Sequence, residues 1–430
     1  MTKPSRLVRG ALAVGAAALL AATVGCAQAK SAESTAATNE KVTLKFWAWV
    51  PGIEDAVALW NKSHPNIQVD FTKISGKDVN DLGTKADAGT APDVAQVSGG
   101  ALPTLAINKQ VQDITKYLPN GSKDYVPSAW SAVTFGDKAY AVPQDIAPVG
   151  LMYRKDIFDK YGIQAPKTWD DYYLAAKKLH EADPNVYLDC FAANDLALFW
   201  QQLYQAGGSQ FGTTGDAWTV GIDSDKAMAV AARWQKLIDD KLVYTQQGQT
   251  PAYWADINSG KLASMIYANW EAPILAENAP ALKGKWAVAP MPSDNGKGAD
   301  VGGSVNVVVK GSKHPQQAAE FLNWLNSDPG SLEILISKGG LFPAAKAGFD
   351  SPALKKPSEY FGGQQINEVF TKSAETAPQV TYGPAGGALG TAMGDGWAKV
   401  GTGEMKIADV LKATGTATRD ALKKMGLTVQ

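Results

Sequence analysis

The run Met265-Ile266-Tyr267-Ala268 has the character of a buried strand, and it gives way at once to Asn269, Trp270 and Glu271. A tryptophan between an amide and an acid, at the point where a strand reaches the surface, offers a flat apolar face with hydrogen-bonding groups beside it. That combination suits a flat, partly apolar ligand. The chain has 13 tryptophans, more than a core alone calls for. Other chemistry is scarce. The three histidines are His64 and His314, each before a proline, and His180 within a helical stretch, so neither a histidine metal cluster nor a histidine-based triad is available. The Gly-Lys pairs at 76, 260, 284 and 296 lack both the following hydroxyl and the upstream glycine of a phosphate loop, and no G-x-G-x-x-G occurs. Paired carboxylates leave no short signature, so glycosidase-like chemistry is not decided at this level. No catalytic residue, cofactor or metal is expected.

Composition narrows the partners. A net charge of -1 with 19% charged residues provides no field for nucleic acid or an anionic membrane. At 430 residues the chain exceeds one ordinary core, and two domains are expected. Lys3, Arg6 and Arg9 precede an apolar run that closes at Thr23-Val24-Gly25-Cys26, the pattern of an export signal. The small and polar residues from 26 to 41 read as a tether. Beyond Cys26 the only cysteine is Cys190, so no disulfide is expected in the mature body, where Cys190 packs as a small hydrophobe.

The elements that position the candidates alternate. Val42, Leu44 and Phe46 against Thr43, Lys45 and Trp47 give a strand of period two. A helix with Trp60 on its inner face follows and stops at His64-Pro65; Ile67–Phe71 and Pro92–Ser98 are further strands. This β-α-β order predicts an α/β domain with a largely parallel sheet. Two strands are expected around Pro143 and Pro148, and Thr168 with Asp171 predicts a capped helix start. An amphipathic helix carries Ala227, Val230, Ala231, Trp234, Leu237 and Ile238 on one stripe. Strands at 285–292 and 304–310, a helix opened by Pro315 and a C-terminal helix complete the reading. Trp60, Trp234 and Trp324 fall on apolar stripes and are assigned to the core.

Several segments, taken in order, resemble the family 1 extracellular solute-binding proteins, the substrate receptors of ABC importers. They are GTAPDVAQVS, KAYAVPQDIAPVGLMYRKDIFDKYGIQAPKTWDDY, GKLASMIYANWEAPIL, KWAVAPMP, VGGSVNVVVKGSKHPQQAAEFLNWL and GGLFPA. The likeness runs from about residue 42 to 345 and more weakly beyond. It implies a two-lobed, type II periplasmic-binding-protein-like α/β fold with a ligand cleft between lobes. Residues 42–145 with 304–339 would form one lobe and 146–303 with 340–430 the other, with passages near Asp145-Ile146, Gly302-Gly303 and Gly339-Gly340. TVGC resembles a lipobox, with Thr23 in place of the usual leucine; residues 1–25 would be removed and Cys26 lipidated.

By the same resemblance Trp270 offers its face to a sugar ring, with Asn269 and Glu271 at the edge, and Asp145 accepts sugar hydroxyls. Trp47 and Trp49 leave the first strand at its carboxyl end on one face, with at least one reaching the cleft, and Gln96 and Ser98 end a strand on the same rim. Trp200 lies on a cleft-lining helix, Gly302 and Gly303 let ligand approach the backbone or act as hinge, and Tyr382 and Trp254 are weaker candidates. The implied function is a monomeric extracytoplasmic receptor, anchored by lipid alone, that delivers a carbohydrate to a permease served by a separate ATPase. The alternatives are the same fold binding another solute, such as a polyamine, a glycerophosphodiester or a metal complex, or a secreted carbohydrate-active enzyme or adhesin.

Overall fold

Val42, Leu44, Phe46 and Ala48 are buried while Thr43 and Lys45 are exposed, so the alternation in sequence is the alternation of the pleat. The computed structural model describes residues 41–75, 81–118 and 120–430, and Lys41–Gln430 forms one compact unit. Cys26, the signal region and the tether up to Glu40 lie outside the described residues.

The first sheet has the order Ile67–Lys73, Val42–Ala48, Val94–Ser98, Ser304–Val308, Val142–Pro143. Its first three strands are parallel, and Ser304–Val308 runs antiparallel between its two neighbours. The helix Ile53–Ser63 begins after Gly52 (φ +89°) and turns Ile53, Ala56, Val57 and Trp60 inward. Trp60 then meets Phe321 of the helix Pro315–Ser327, ring centroids 5.4 Å apart. Trp60 and Trp234 are core as expected, and Trp324 is half-buried against Trp60.

The second sheet, Ser264–Ala268, Val149–Arg154 and Trp286–Pro290, is wholly antiparallel. The parallel expectation therefore holds for the opening β-α-β stretch and for the short pair Cys190–Ala192 with Tyr244–Gln246, but not for this sheet. Strand sense elsewhere depends on the direction from which a distant segment returns, and no local pattern encodes it. Around this sheet pack Trp169–Ala182, whose Thr168 and Asp171 form the predicted capping box, and Asp225–Asp239, with Gly386–Gly401 and Ile407–Lys424.

Passages between the two halves lie side by side. Gln144 N–H donates to Ser304 O (3.0 Å), Ile146 N–H to Phe342 O (3.0 Å) and Ala344 N–H to Gln144 O (3.2 Å). The third passage stays beside the first half at Ala344, which accepts from Val126 N–H, and Tyr360 then donates to Ala279 O at 2.8 Å in the second half.

Candidate ligand-binding cleft

Over these passages lies a cleft of about 560 Å³ with tryptophans on its walls, within the range of small-molecule sites. Trp49 enters from the end of the first strand, Trp200 from the helix Ala197–Gln205 and Trp270 from the start of the helix Glu271–Asn278. Trp270 is 39% exposed, unusual for so large an apolar side chain. Its ring stands edge-on to Tyr267, centroids 5.7 Å apart, and the Tyr267 hydroxyl donates to Asp195 Oδ2. Trp200 lies parallel to Tyr204 at 6.3 Å. Trp270 and Trp200 are therefore each backed by a tyrosine, and Trp49 packs partly buried against the hydrophobic cluster that includes Phe46.

The polar floor is a relay. Gln96 Oε1 accepts from Trp49 N–H (3.0 Å), Gln96 Nε2 donates to Ser304 Oγ (2.7 Å), and Ser304 Oγ donates to Asp145 Oδ1 (2.6 Å). Ser304 N–H also donates to Oδ1, and no donor among the described residues reaches Oδ2. Burial pushes the Asp145 carboxyl up to about 6 against the pull of its Ser304 bonds. Asp300 accepts from Ala147 N–H and Gly302 N–H, both at 3.0 Å, and burial raises it likewise to about 6. Each carboxylate thus ties its own passage to the neighbouring one. No lysine, arginine or histidine is among the cleft's lining residues, and among the described residues no cluster could hold a metal.

Trp270, Asn269, Asp145, Trp49, Ser98, Trp200, Gly302 and Gly303 meet in this cleft. Five candidates do not. Gln96 is wholly buried, because its strand is covered on both faces, and it positions Trp49 and Ser304 instead. Glu271 is also wholly buried: the helix begins at this residue and turns its carboxylate inward onto Gln249 (2.9 Å), where burial raises it to about 7. Trp47 packs on the cluster around Leu82 and Val97, with the Lys85 ammonium 5.3 Å from its ring centroid. The strand ends at Ala48, so the pleat no longer holds Trp49 to the same environment. Tyr382 lies beyond Gly302, outside the central cleft, and Trp254 is core.

Asp195, Leu196 and Phe342 are lining residues that the sequence reading missed. Asp195 had a readable signal: its Oδ1 accepts from Ala197 N–H (2.8 Å), the habit of an acid placed just before a helix.

A family model described as bacterial extracellular solute-binding protein matches residues 46–331. The arabinooligosaccharide-binding protein of Bacillus subtilis (strain 168) is 24% identical, with 77% of this chain and 79% of that protein covered. Two solved structures are each 33% identical over 91% of this chain. One is the galacto-N-biose-/lacto-N-biose I-binding protein of an ABC transporter from Bifidobacterium longum, in complex with lacto-N-biose, with 99% of it covered and a TM-score of 0.82. The other is an ABC transporter-associated binding protein from B. animalis subsp. lactis Bl-04, in complex with β-1,6-galactobiose, with 100% covered and a TM-score of 0.75. With its fold shared across nearly the whole of both structures and the family model spanning most of its length, the chain belongs to the bacterial extracellular solute-binding proteins.

Proposed function

We propose that this extracytoplasmic binding protein captures a short, uncharged oligosaccharide and delivers it to an ABC permease. One observation carries the reading: Trp49, Trp200 and Trp270 share a cleft with Asp145, Asp195 and Asn269 and with no basic side chain. Pyranose C–H faces stack on indole, and hydroxyls donate to carboxylates and amides. A phosphate or carboxylate ligand would call for a cation, which this lining lacks. The sugars named with the relatives support the same class. Two carboxylates without a counter-ion also favour a second reading, a cationic amine, with the indoles as its aromatic walls.

Calorimetric titration with mono- to tetrasaccharides, and in parallel with putrescine and spermidine, tests both. Saturable binding of a di- or trisaccharide is expected; binding of the amines alone would replace the sugar reading. A parallel assay of reducing-end release should detect no turnover, in keeping with a family of binding proteins. Anchoring through Cys26, service by a separate ATPase and a monomeric state complete the proposal.

A further inference from the structure

The space between the halves continues past the tryptophan-walled cleft, and Tyr382 interrupts it. A Cβ built on Gly302, whose φ is +93°, would fall 2.4 Å from the Tyr382 hydroxyl. Glycine at 302 is therefore what lets the phenol lie against the passage. Between that ring, Asp145, Asp300 and Gly303 remains a throat of about 30 Å³, room for about two waters.

On the far side of Tyr382 opens a groove of about 460 Å³, close to the central cleft in size. Its walls come from both halves. Phe135 and Tyr140 pack on the first half's cluster around Val97 and Val307, and Trp218 packs on the second half's core. Hydroxyls of Ser131 and Thr213 also line it, and no charged side chain does. Its aromatic faces share the stacking chemistry of the central cleft, with neutral hydroxyls in place of that cleft's carboxylates.

The backbone that carries Tyr382 is held from both sides. Ser209 Oγ accepts from Thr381 N–H (2.8 Å) and donates to Thr381 O (3.0 Å). Across the gap, Thr104 Oγ1 of the first half donates to Pro384 O at 3.0 Å. Gly383 is pressed so close to Phe211 that a Cβ there would fall 2.3 Å from its ring. A fixed backbone with a ring in a glycine-lined slot is a wall.

We infer that Tyr382 is a partition that sets ligand length, holding a short oligosaccharide in the central cleft and denying longer chains the aromatic groove beyond. The inference rests on the carbohydrate reading. Removing the ring joins the two spaces, so that further sugar units of a longer chain reach Trp218, Phe135 and Tyr140.

The test is calorimetry of the natural protein, Tyr382→Ala and Tyr382→Leu with galactooligosaccharides of two to six units. The affinity ratio of pentasaccharide to disaccharide should rise at least about tenfold in either truncated variant, and adding Trp218→Ala should abolish the rise. Tyr382→Phe, which keeps the ring, should keep the natural ratio. An unchanged ratio in the truncated variants overturns the partition. If no protein binds any of these sugars, the ligand is not a galactooligosaccharide, the carbohydrate reading is left to the wider saccharide titration, and 1-anilinonaphthalene-8-sulfonate then probes the partition without sugar. More dye fluorescence in the truncated variants, reversed by Trp218→Ala, upholds the wall; equal fluorescence overturns it.

Discussion

Trp270 combines two properties that rarely coincide: a large apolar surface left open, and a ring whose orientation is set from behind by Tyr267 and Asp195. Pre-orientation lowers the entropy lost on binding, which is why an aromatic so placed acts as an anchor. Trp270→Ala should weaken binding of the native sugar by about 1–3 kcal/mol with little change in melting temperature. Calorimetry and thermal unfolding of the same preparation decide it, and unchanged affinity would remove Trp270 from the site. Asp145 has two roles to separate, because Oδ1 is engaged by Ser304 while among the described residues no side chain donates to Oδ2. Asp145→Asn keeps an acceptor for Ser304 and loses the charge, so affinity should fall as charge-assisted bonds become neutral ones. A variant that binds normally but melts much earlier would assign Asp145 to the joint alone.

At the scale of elements, the passages are tied by carboxylates that burial makes hard to ionise. Asp145 and Asp300 are both raised from 3.8 to about 6. For an acid this means that the folded protein holds a proton the unfolded chain has already released. The resulting stabilisation is complete below pH 3.8 and is lost as pH rises through about 6. Asp300→Asn retains an acceptor for Ala147 and Gly302 without the titration. Its stability relative to the natural protein should therefore rise from about pH 4 to about pH 7.5, as read from urea unfolding at both. A difference that stays constant with pH would mean that Asp300 does not titrate in this window.

For the whole molecule, the proposed ligand contacts from both halves would supply what closure needs. A ligand drives a conformational equilibrium only through its preference for one state. Moving a population from 1% to 99% closed takes about 5.5 kcal/mol of differential affinity, within reach of Trp49 and Asp145 on one side and Trp200 and Trp270 on the other. Small-angle scattering of free and saturated protein should give a smaller radius of gyration with ligand. An unchanged radius at verified saturation would rule out hinge closure. The proposed anchoring has its own measurement: mass spectrometry of the mature N-terminus should find a diacylglyceryl group on Cys26, and an unmodified start beyond it would exclude the lipoprotein reading.

Local pattern was enough to identify the opening β-α-β unit, the capped start at Thr168, the core stripes of Trp60 and Trp234, and the strand end that exposes Trp270. Each depends on periodicity or on a cap, both written within a few neighbouring residues. The resemblance to the solute-binding proteins supplied the fold class and most of the cleft-lining candidates. Which side chains face the cleft was decided over longer distances. Trp47 and Trp49 look equivalent until the strand is seen to end between them, and Gln96 sits in a strand with no solvent face for alternation to select. Glu271 turns inward because a helix begins there, and Asp195 reaches Tyr267 from 72 residues away. The antiparallel second sheet and the wall at Tyr382 have the same origin. Both arise where distant segments meet, and the free energy that fixes them is packing between elements rather than propensity within one.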